Sequence, residues 1–328
     1  TLDDFTAFLQ AAKDQYDIAP LTANKSSPFI STILTAFGMG DAEWYDIDGT
    51  YTHRIKHPQI ADYLGYLQML YSEGLMDNDM PINTADNSKE KFASGNAIAC
   101  APLMFWDIPS MVNALSTSNP DCKIEFVTDL APDADTQPHH YIMEGAKFVT
   151  CISQNSKNPE HVVNWLNILT EPDNFRRTYI GEEGVSYEII DGEYHPIFEG
   201  DDATNFNAYT NSDKLSGFSD PTLAFQMWQA RARKTPEMAE AYEAMNSRVD
   251  EYEALVSIEA YGKTSPQVQE YITALNQAFS DSFLKAIVEG TDPDEAVAAM
   301  QAEWDANGGL EVEAAMQEFY EANKDFAG

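Results

Sequence analysis

Apolar residues Leu2, Phe5, Phe8, Leu9, Ala12 and Tyr16 recur at helical spacing, and the pattern predicts a helix over 2–16. Thr1 stands at the N-cap position with Asp4 at the third helical position, close to a capping box. "IAPLT" reads as a short strand. "SPFISTILTAFG" reads as a helix from its Ser-Pro start and Gly stop. "EWYDIDGTYTHRI" predicts a hairpin turning at Asp48-Gly49. "HPQIADYLGYLQMLYSEGL" is strongly amphipathic: Ile60, Tyr63, Leu64, Leu67, Leu70 and Tyr71 share one face, and Gly74 stops the helix.

The same reading continues downstream. "SKEKFASG" predicts a helix, "NAIACAPL" a strand, "DIPSMVNAL" a helix, and "KIEFVTDLAP" and "HYIMEGAKFVTC" further strands. "NPEHVVNWLNILTEPDNFRRTYIG" predicts one or two helices, and 181–220 is turn-rich. Helices are expected over 221–233, 235–257, 265–289 and 292–325, the last interrupted at Gly308-Gly309. Strands alternating with helices, then a helical tail, imply α/β layers with a helical C-terminal extension.

Charge narrows the partners. The 328 residues hold 19 Lys and Arg against 54 Asp and Glu, a net charge of −35. Nucleic acid is thereby excluded as a partner, because phosphate contacts need clustered basic residues. An anionic membrane surface is disfavoured on the same ground. Cys100, Cys122 and Cys151 are odd in number, far apart and in no metal spacing, so no disulfide framework is expected. No apolar run reaches a membrane span and no signal segment is read.

Catalytic and cofactor motifs are missing. The nucleophile elbow Gly-x-Ser-x-Gly, the phosphate loop Gly-x4-Gly-Lys-Ser/Thr, the dinucleotide Gly-x-Gly-x-x-Gly and the zinc pattern His-Glu-x-x-His do not occur. His53 and His57 precede Pro58 and share no helical face, and His139 and His140 are adjacent, so no metal site is expected. "DNDMPINTADN" starts like a calcium loop at Asp77 and Asp79, but Pro81 replaces the next ligand and the required Gly is missing; a solvated loop is expected. What remains is aromatic chemistry. "LMFWD" offers Phe105 and Trp106 as flat platforms and Asp107 as an acceptor, just before the free N–H groups of a helix start. A sugar, with apolar faces and a hydroxyl rim, needs that combination. Core packing of the two rings is the competing reading.

In order along the chain, several segments resemble the extracellular solute-binding proteins of ABC importers. The resemblance is to the family that includes maltose-binding protein, and more closely to its lipoprotein oligosaccharide-binding branch. "TLDDFTAFLQAAKD" is similar to a second-lobe helix of that family. "WYDIDGTYTHRIKHPQIADYLGYLQMLYSEGLMDND" resembles its Asp-Gly hairpin and following helix, and "KEKFASGNAIACAPLMFW" its strand leading to a ligand-stacking aromatic. "NPEHVVNWLNILTEPDNF" resembles its Asn-Pro-Glu helix, and "YIGEEGVSYEIIDGE" its glycine-flanked turn with a tyrosine near the cleft. The resemblance spans the whole chain.

It implies a type II periplasmic-binding-protein-like α/β fold in which two lobes close over a ligand at a hinge. The family's first third has no counterpart here, which implies an incomplete N-terminal lobe. The implied organisation is a second lobe over 1–148, a crossing segment with the remnant of the first lobe over 149–235, and C-terminal helices over 236–328 packing on the second lobe. The implied function is non-catalytic capture of a carbohydrate, with an oligosaccharide favoured, for delivery to ABC-transporter permease subunits. The protein would be a monomer, without cofactor or metal, outside the cell as a lipoprotein or in a periplasm. Residue by residue, Trp106 or Phe105 falls at the stacking position and Phe29 near another aromatic position. Asp107 lies beside the platform, Tyr187 and Glu183 in the glycine-flanked turn, and Met143 and Glu144 at a hinge crossing. Alternative readings are a polysaccharide-active hydrolase or lyase, a binding protein for a non-sugar solute such as a peptide, and a helical interaction module.

Overall fold

The computed structural model describes residues 1–26, 28–101, 107–138, 140–143, 151–197, 226, 229–230, 232–233, 235–247 and 254–326. The chain divides into two compact units: unit 1 is Thr1–Lys147 with Arg248–Gly328, and unit 2 is Phe148–Ser247. Among the described residues no helix is long and apolar enough to cross a membrane.

Unit 1 opens with helix α1 (Leu2–Tyr16), whose Thr1 and Asp4 complete the capping box and whose chain leaves through Asp17 in the left-handed conformation. Strand β1 (Leu21–Thr22) follows. The next helix starts later than its Ser-Pro signal: α2 covers Ser31–Leu34 and tightens into a 3-10 turn at Thr35–Phe37. The Tyr63 hydroxyl donates to the Pro28 carbonyl and accepts from Ile30 N–H, so the expected first turn is held open by a side chain. Strands β2 (Trp44–Ile47) and β3 (Thr50–His53) form the hairpin around Asp48 and Gly49, both at positive φ. A two-residue turn with both φ values positive matches strand twist, which is why Asp-Gly is so strong a signal.

Helix α3 (Ile60–Ser72) buries Ile60, Tyr63, Leu64, Leu67 and Leu70, the face the spacing predicts. Each such side chain contributes roughly 1.5–3 kcal/mol of burial. Helix α4 (Ala85–Ala93) is capped by Thr84 and Asn87 and leads to strand β4 (Ala99–Cys100), then α5 (Ile108–Ser118). β4 pairs in parallel with β1, Leu21 opposite Ala99 and Thr22 opposite Cys100.

Two expected elements are corrected. The strand expected at "KIEFVTDLAP" is absent from the described backbone, which is irregular over 123–130. Its Leu130 is held by a side chain: the Thr35 hydroxyl donates to the Leu130 carbonyl and accepts its N–H. The helix expected over 235–257 is two elements. A helix ends at Asn246, and strand β5 (His140–Met143) pairs in parallel with a strand at Ala254–Ser257. Pairing with a distant strand overrides the local helical pattern there.

Unit 2 contains α6 (Pro159–Thr170), α7 (Pro172–Ile180), the hairpin β6 (Tyr187–Ile190) and β7 (Glu193–Pro196), and α8 (Pro236–Asn246). Its core gathers Phe175, Tyr179, Ile180, Tyr187 and Ala230. The hairpin turns at Asp191-Gly192, inside the stretch read only as turn-rich. α6 buries none of its residues.

Back in unit 1, β8 (Ala254–Ser257) leads into a short helix, α9 (Glu259–Gly262), and then α10 (Pro266–Glu289). α11 (Pro293–Trp304) and α12 (Leu310–Asn323) complete the unit. α10 packs Val268, Ile272, Leu275, Phe279 and Phe283 into the same core as α3. The break expected at Gly308-Gly309 is a wide turn over Asp305–Gly309, with Gly308 at φ +103. A Cβ on Gly309 would overlap the indole Cδ1 and Nε1 of Trp304, itself 2% exposed and unable to move aside. Gly309→Ala is therefore expected to cost about 3 kcal/mol, the overpacking range for a rigid site. Urea unfolding at unchanged m would measure it, and a loss below about 1 kcal/mol would refute the tight packing.

Candidate ligand-binding site

The C-terminal edge of the parallel pair β1–β4 is the place where open α/β sheets hold ligands. Beyond β1 the chain runs through Ala23, Asn24, Lys25 and Ser26; beyond β4 it runs to Asp107 at the start of α5. The loop after β1 is pinned by an Asx turn, Asn24 Oδ1 accepting from Ser26 N–H at 3.0 Å. Asn83 braces it from the far side, its Nδ2 donating to the Ala23 carbonyl at 3.1 Å while its own carbonyl accepts from Lys25 N–H at 3.1 Å.

That brace rests on Asp77. Its carboxylate accepts from Thr22 Oγ1 at 3.2 Å, Asn83 Nδ2 at 2.8 Å, Lys91 Nζ at 2.6 Å and Asp79 N–H at 3.0 Å. Burial works to raise the Asp77 pKa, but these donors and the Lys91 charge outweigh it and hold the carboxyl below its ordinary range. Lys91 also reaches Asp79 at 2.8 Å. The segment expected to be a solvated loop is thus a strut between β1 and α4, with an ammonium between its two aspartates.

Asp107 faces α4. Lys89 Nζ lies 2.8 Å from its Oδ2, both side chains mostly enclosed, at ion-pair distance but outside hydrogen-bond geometry. The pairing fixes the start of α5 relative to α4 without using the full acceptor capacity of the carboxylate. The Cys100 thiol feels both charges. Burial pushes its thiol up to about 11 against the pull of Lys89 and Ser88, so the thiol stays protonated and is no nucleophile at neutral pH.

The other expected residues are distributed as follows. Phe105, Trp106 and Glu144 lie outside the described residues. Met143 ends β5. Phe29 packs against the core, its ring centroid 5.0 Å from Phe283 and 5.1 Å from Phe279, with the Arg54 guanidinium 4.8 Å above it. Tyr187 is buried in unit 2, and Glu183 is exposed beside it in a backbone bridge to Tyr187. Gly184 N–H donates to the Tyr187 carbonyl at 2.7 Å, closing the glycine-flanked turn. Burial raises the Tyr187 phenol above its ordinary pKa. His53 and His57 each spend Nδ1 on a nearby backbone N–H, of Ile55 and Gln59.

Sequence reading missed Lys89, Lys91 and Asn83. The local signal was modest: Thr84 and Asn87 cap a helix whose Lys89 and Lys91 follow at once, but their aspartates come from two other segments.

No protein-family model matches the chain. A protein of Niallia circulans, described as an uncharacterized protein in the butB 5′ region, is 29% identical over 270 residues, spanning 80% of this chain and 100% of that one. Among solved structures, the alginate-binding protein AlgQ2 without calcium ion superposes with a TM-score of 0.66 at 16% identity, over 97% of this chain and 67% of that one. An HMO-binding, ABC-transporter-associated solute-binding protein from Bifidobacterium longum infantis gives 0.60 at 17% identity, over 98% and 69%. The N-glycan transport solute-binding protein NgtS of Streptococcus pneumoniae gives 0.56 at 17% identity, over 98% and 67%. At these identities the likeness is one of fold: the chain has the α/β fold of the solute-binding proteins, with its helical C-terminal region.

Proposed function

We propose that this chain is a solute-binding protein that captures a carbohydrate, with an oligosaccharide favoured, for an ABC importer. The observation that carries the reading is the shared fold, which extends over nearly the whole chain and links it to proteins whose names specify alginate, N-glycan and HMO ligands. The division of the chain supports it: the backbone leaves unit 1 after β5 and returns before β8, so two crossings join the units. In this reading the units belong to two lobes, ligand contacts favour their closure, and importer permease subunits recognise the closed form. The protein is non-catalytic and works outside the cell, as a lipoprotein or in a periplasm.

The ligand-facing residues of the proposal are Trp106 and Phe105 as stacking platforms and Asp107 as a hydroxyl acceptor held by Lys89. Phe29, Tyr187, Glu183 and Glu144 are secondary positions of the same reading. Titration calorimetry against alginate, N-glycan and HMO oligosaccharides tests it. Saturable binding without product is expected, with Kd raised about tenfold by Trp106→Ala, the upper end of what a lost aromatic contact costs. Turnover of any glycan, or binding indifferent to Trp106→Ala, would sink the assignment.

A further inference from the structure

A cavity of about 250 Å³ lies wholly within unit 1, in the groove between α10 and α11. Its floor is apolar: Ile55, Leu275, Phe279, Met300 and Trp304, each 5% exposed or less. The groove stays open because Ala274 and Ala278, one turn apart on α10, present only methyl groups to it. The same stripe begins one turn earlier with Glu270.

The charged residues of the lining are all acidic. α10 and α11 are joined by the short link at 290–292 and run antiparallel; α11, half as long, ends beside the middle of α10, and the turn at Asp305–Gly309 continues toward the start of α10. Gly308 confirms the neighbourhood: a Cβ there would stand 2.5 Å from the ring of Tyr271, the residue after Glu270. Glu270 on one helix, and Glu303 and Asn307 on the other side, line the same apolar trough. Among the described residues neither glutamate has a basic side chain at ion-pair distance. The Glu270 charge is felt locally, since it raises the pKa of the adjacent Tyr271 phenol. His53, behind the floor, stacks on Trp304 at 4.3 Å and is neutral at physiological pH, and Lys56, beside the floor residue Ile55, is taken up by Asp305 and Glu313, each at 2.7 Å.

We propose that this groove binds a small organic cation, a primary ammonium carrying an aromatic or branched apolar body. The body lies over Phe279, Leu275 and Met300, and the lining glutamates Glu270 and Glu303 attract the ammonium. Size agrees, since a cavity of roughly 150 Å³ already accepts benzene. Two carboxylates without a basic partner select the cation over a neutral isostere, and the net charge of −35 concentrates cations at the surface.

Phenethylamine, 2-phenylethanol and 3-phenylpropionate, titrated into the whole chain and followed by calorimetry and tryptophan fluorescence, test the proposal. Phenethylamine is expected to bind saturably, 2-phenylethanol about tenfold more weakly, and 3-phenylpropionate more weakly still. Glu270→Gln with Glu303→Gln, both exposed positions, should make amine and alcohol equal. Ala278→Phe should abolish both, with Ala274→Met as a milder filling variant. Equal binding of amine and alcohol to the unaltered protein, no saturable amine binding, or binding that survives both filling variants would overturn it. Phenethylamine binding unchanged by Trp106→Ala and by added oligosaccharide keeps this outcome separate from the carbohydrate reading.

Discussion

Replacing Glu259 with alanine is expected to destabilise unit 1 by about 3–5 kcal/mol, the cost of breaking a buried pair by removing one partner. Glu259 is 2% exposed. Its Oε2 accepts from the backbone N–H of Glu43 at 2.7 Å and of Trp44 at 2.9 Å, and its Oε1 pairs with Lys263 at 2.8 Å. Lys263 also holds Glu43 at 2.7 Å, and Asn276 donates to that carboxylate at 3.1 Å. Truncation orphans the half-buried N–H of Glu43 and the buried N–H of Trp44 at the entry to β2, and leaves an ammonium half-neutralised. Burial disfavours the charged Lys263, yet Glu259 and Glu43 together raise its pKa, so it stays charged whichever carboxylate remains. Glu259→Gln should fall between: an amide oxygen still accepts the two N–H groups, but the charge opposite Lys263 is gone. Urea denaturation followed through Trp44 and Trp304 would rank the three proteins. An alanine variant within about 1 kcal/mol of the unaltered chain would show that the network is not a keystone.

That network also marks where sequence reading stops. The α3 face was legible because Ile60, Tyr63, Leu64, Leu67 and Leu70 repeat with the helical period, and period is a local property. The β2–β3 turn was legible because Asp48-Gly49 carries its own conformational preference; Asp191-Gly192 carries the same signal and was passed over among neighbouring turn residues. Glu259 was not legible, because the N–H it caps lies 215 residues away. The strand at Ala254–Ser257 was lost for the same reason: its partner is His140–Met143, and the sequence around it favours helix. Of the proposed carbohydrate site, the aromatic run and Asp107 could be picked from residue chemistry alone. Lys89 could not, since only the packing of α4 against α5 brings it to Asp107. Local period and turn preference carry elements, whereas ion pairs join segments far apart in sequence, so the elements were easier to read than the contacts between them.

Acid is expected to weaken the protein through His53, earlier than carboxylate protonation alone would. The imidazole is enclosed between Trp304, stacked at 4.3 Å, and Trp44, edge-on at 5.1 Å, with Phe279 beyond. Burial is the main force lowering its pKa from 6.5 to about 3; Arg54 and Lys263 push the same way, and Glu43 and Asn276 oppose. The unfolded chain therefore binds a proton below pH 6.5 that the folded chain refuses. Stability then falls as pH falls, by about 1.4 kcal/mol per pH unit, until the folded imidazole titrates near pH 3. Glu43 adds a loss of the same sign lower down. Burial would raise its pKa, but Lys263 above all holds it below 4.5, so its contribution is present above that pH and disappears beneath it. Easing of the surface repulsion as other carboxylates protonate works in the opposite direction. A variant comparison removes that background: His53→Gln keeps a polar side chain but cannot titrate. Whatever it costs at pH 7, the stability gap between it and the unaltered protein should move by roughly 2–3 kcal/mol between pH 6 and pH 4, in favour of the variant. Parallel stability curves for the two proteins over that range would mean that His53 takes up its proton in the folded state, and the enclosed, neutral imidazole would have to be abandoned.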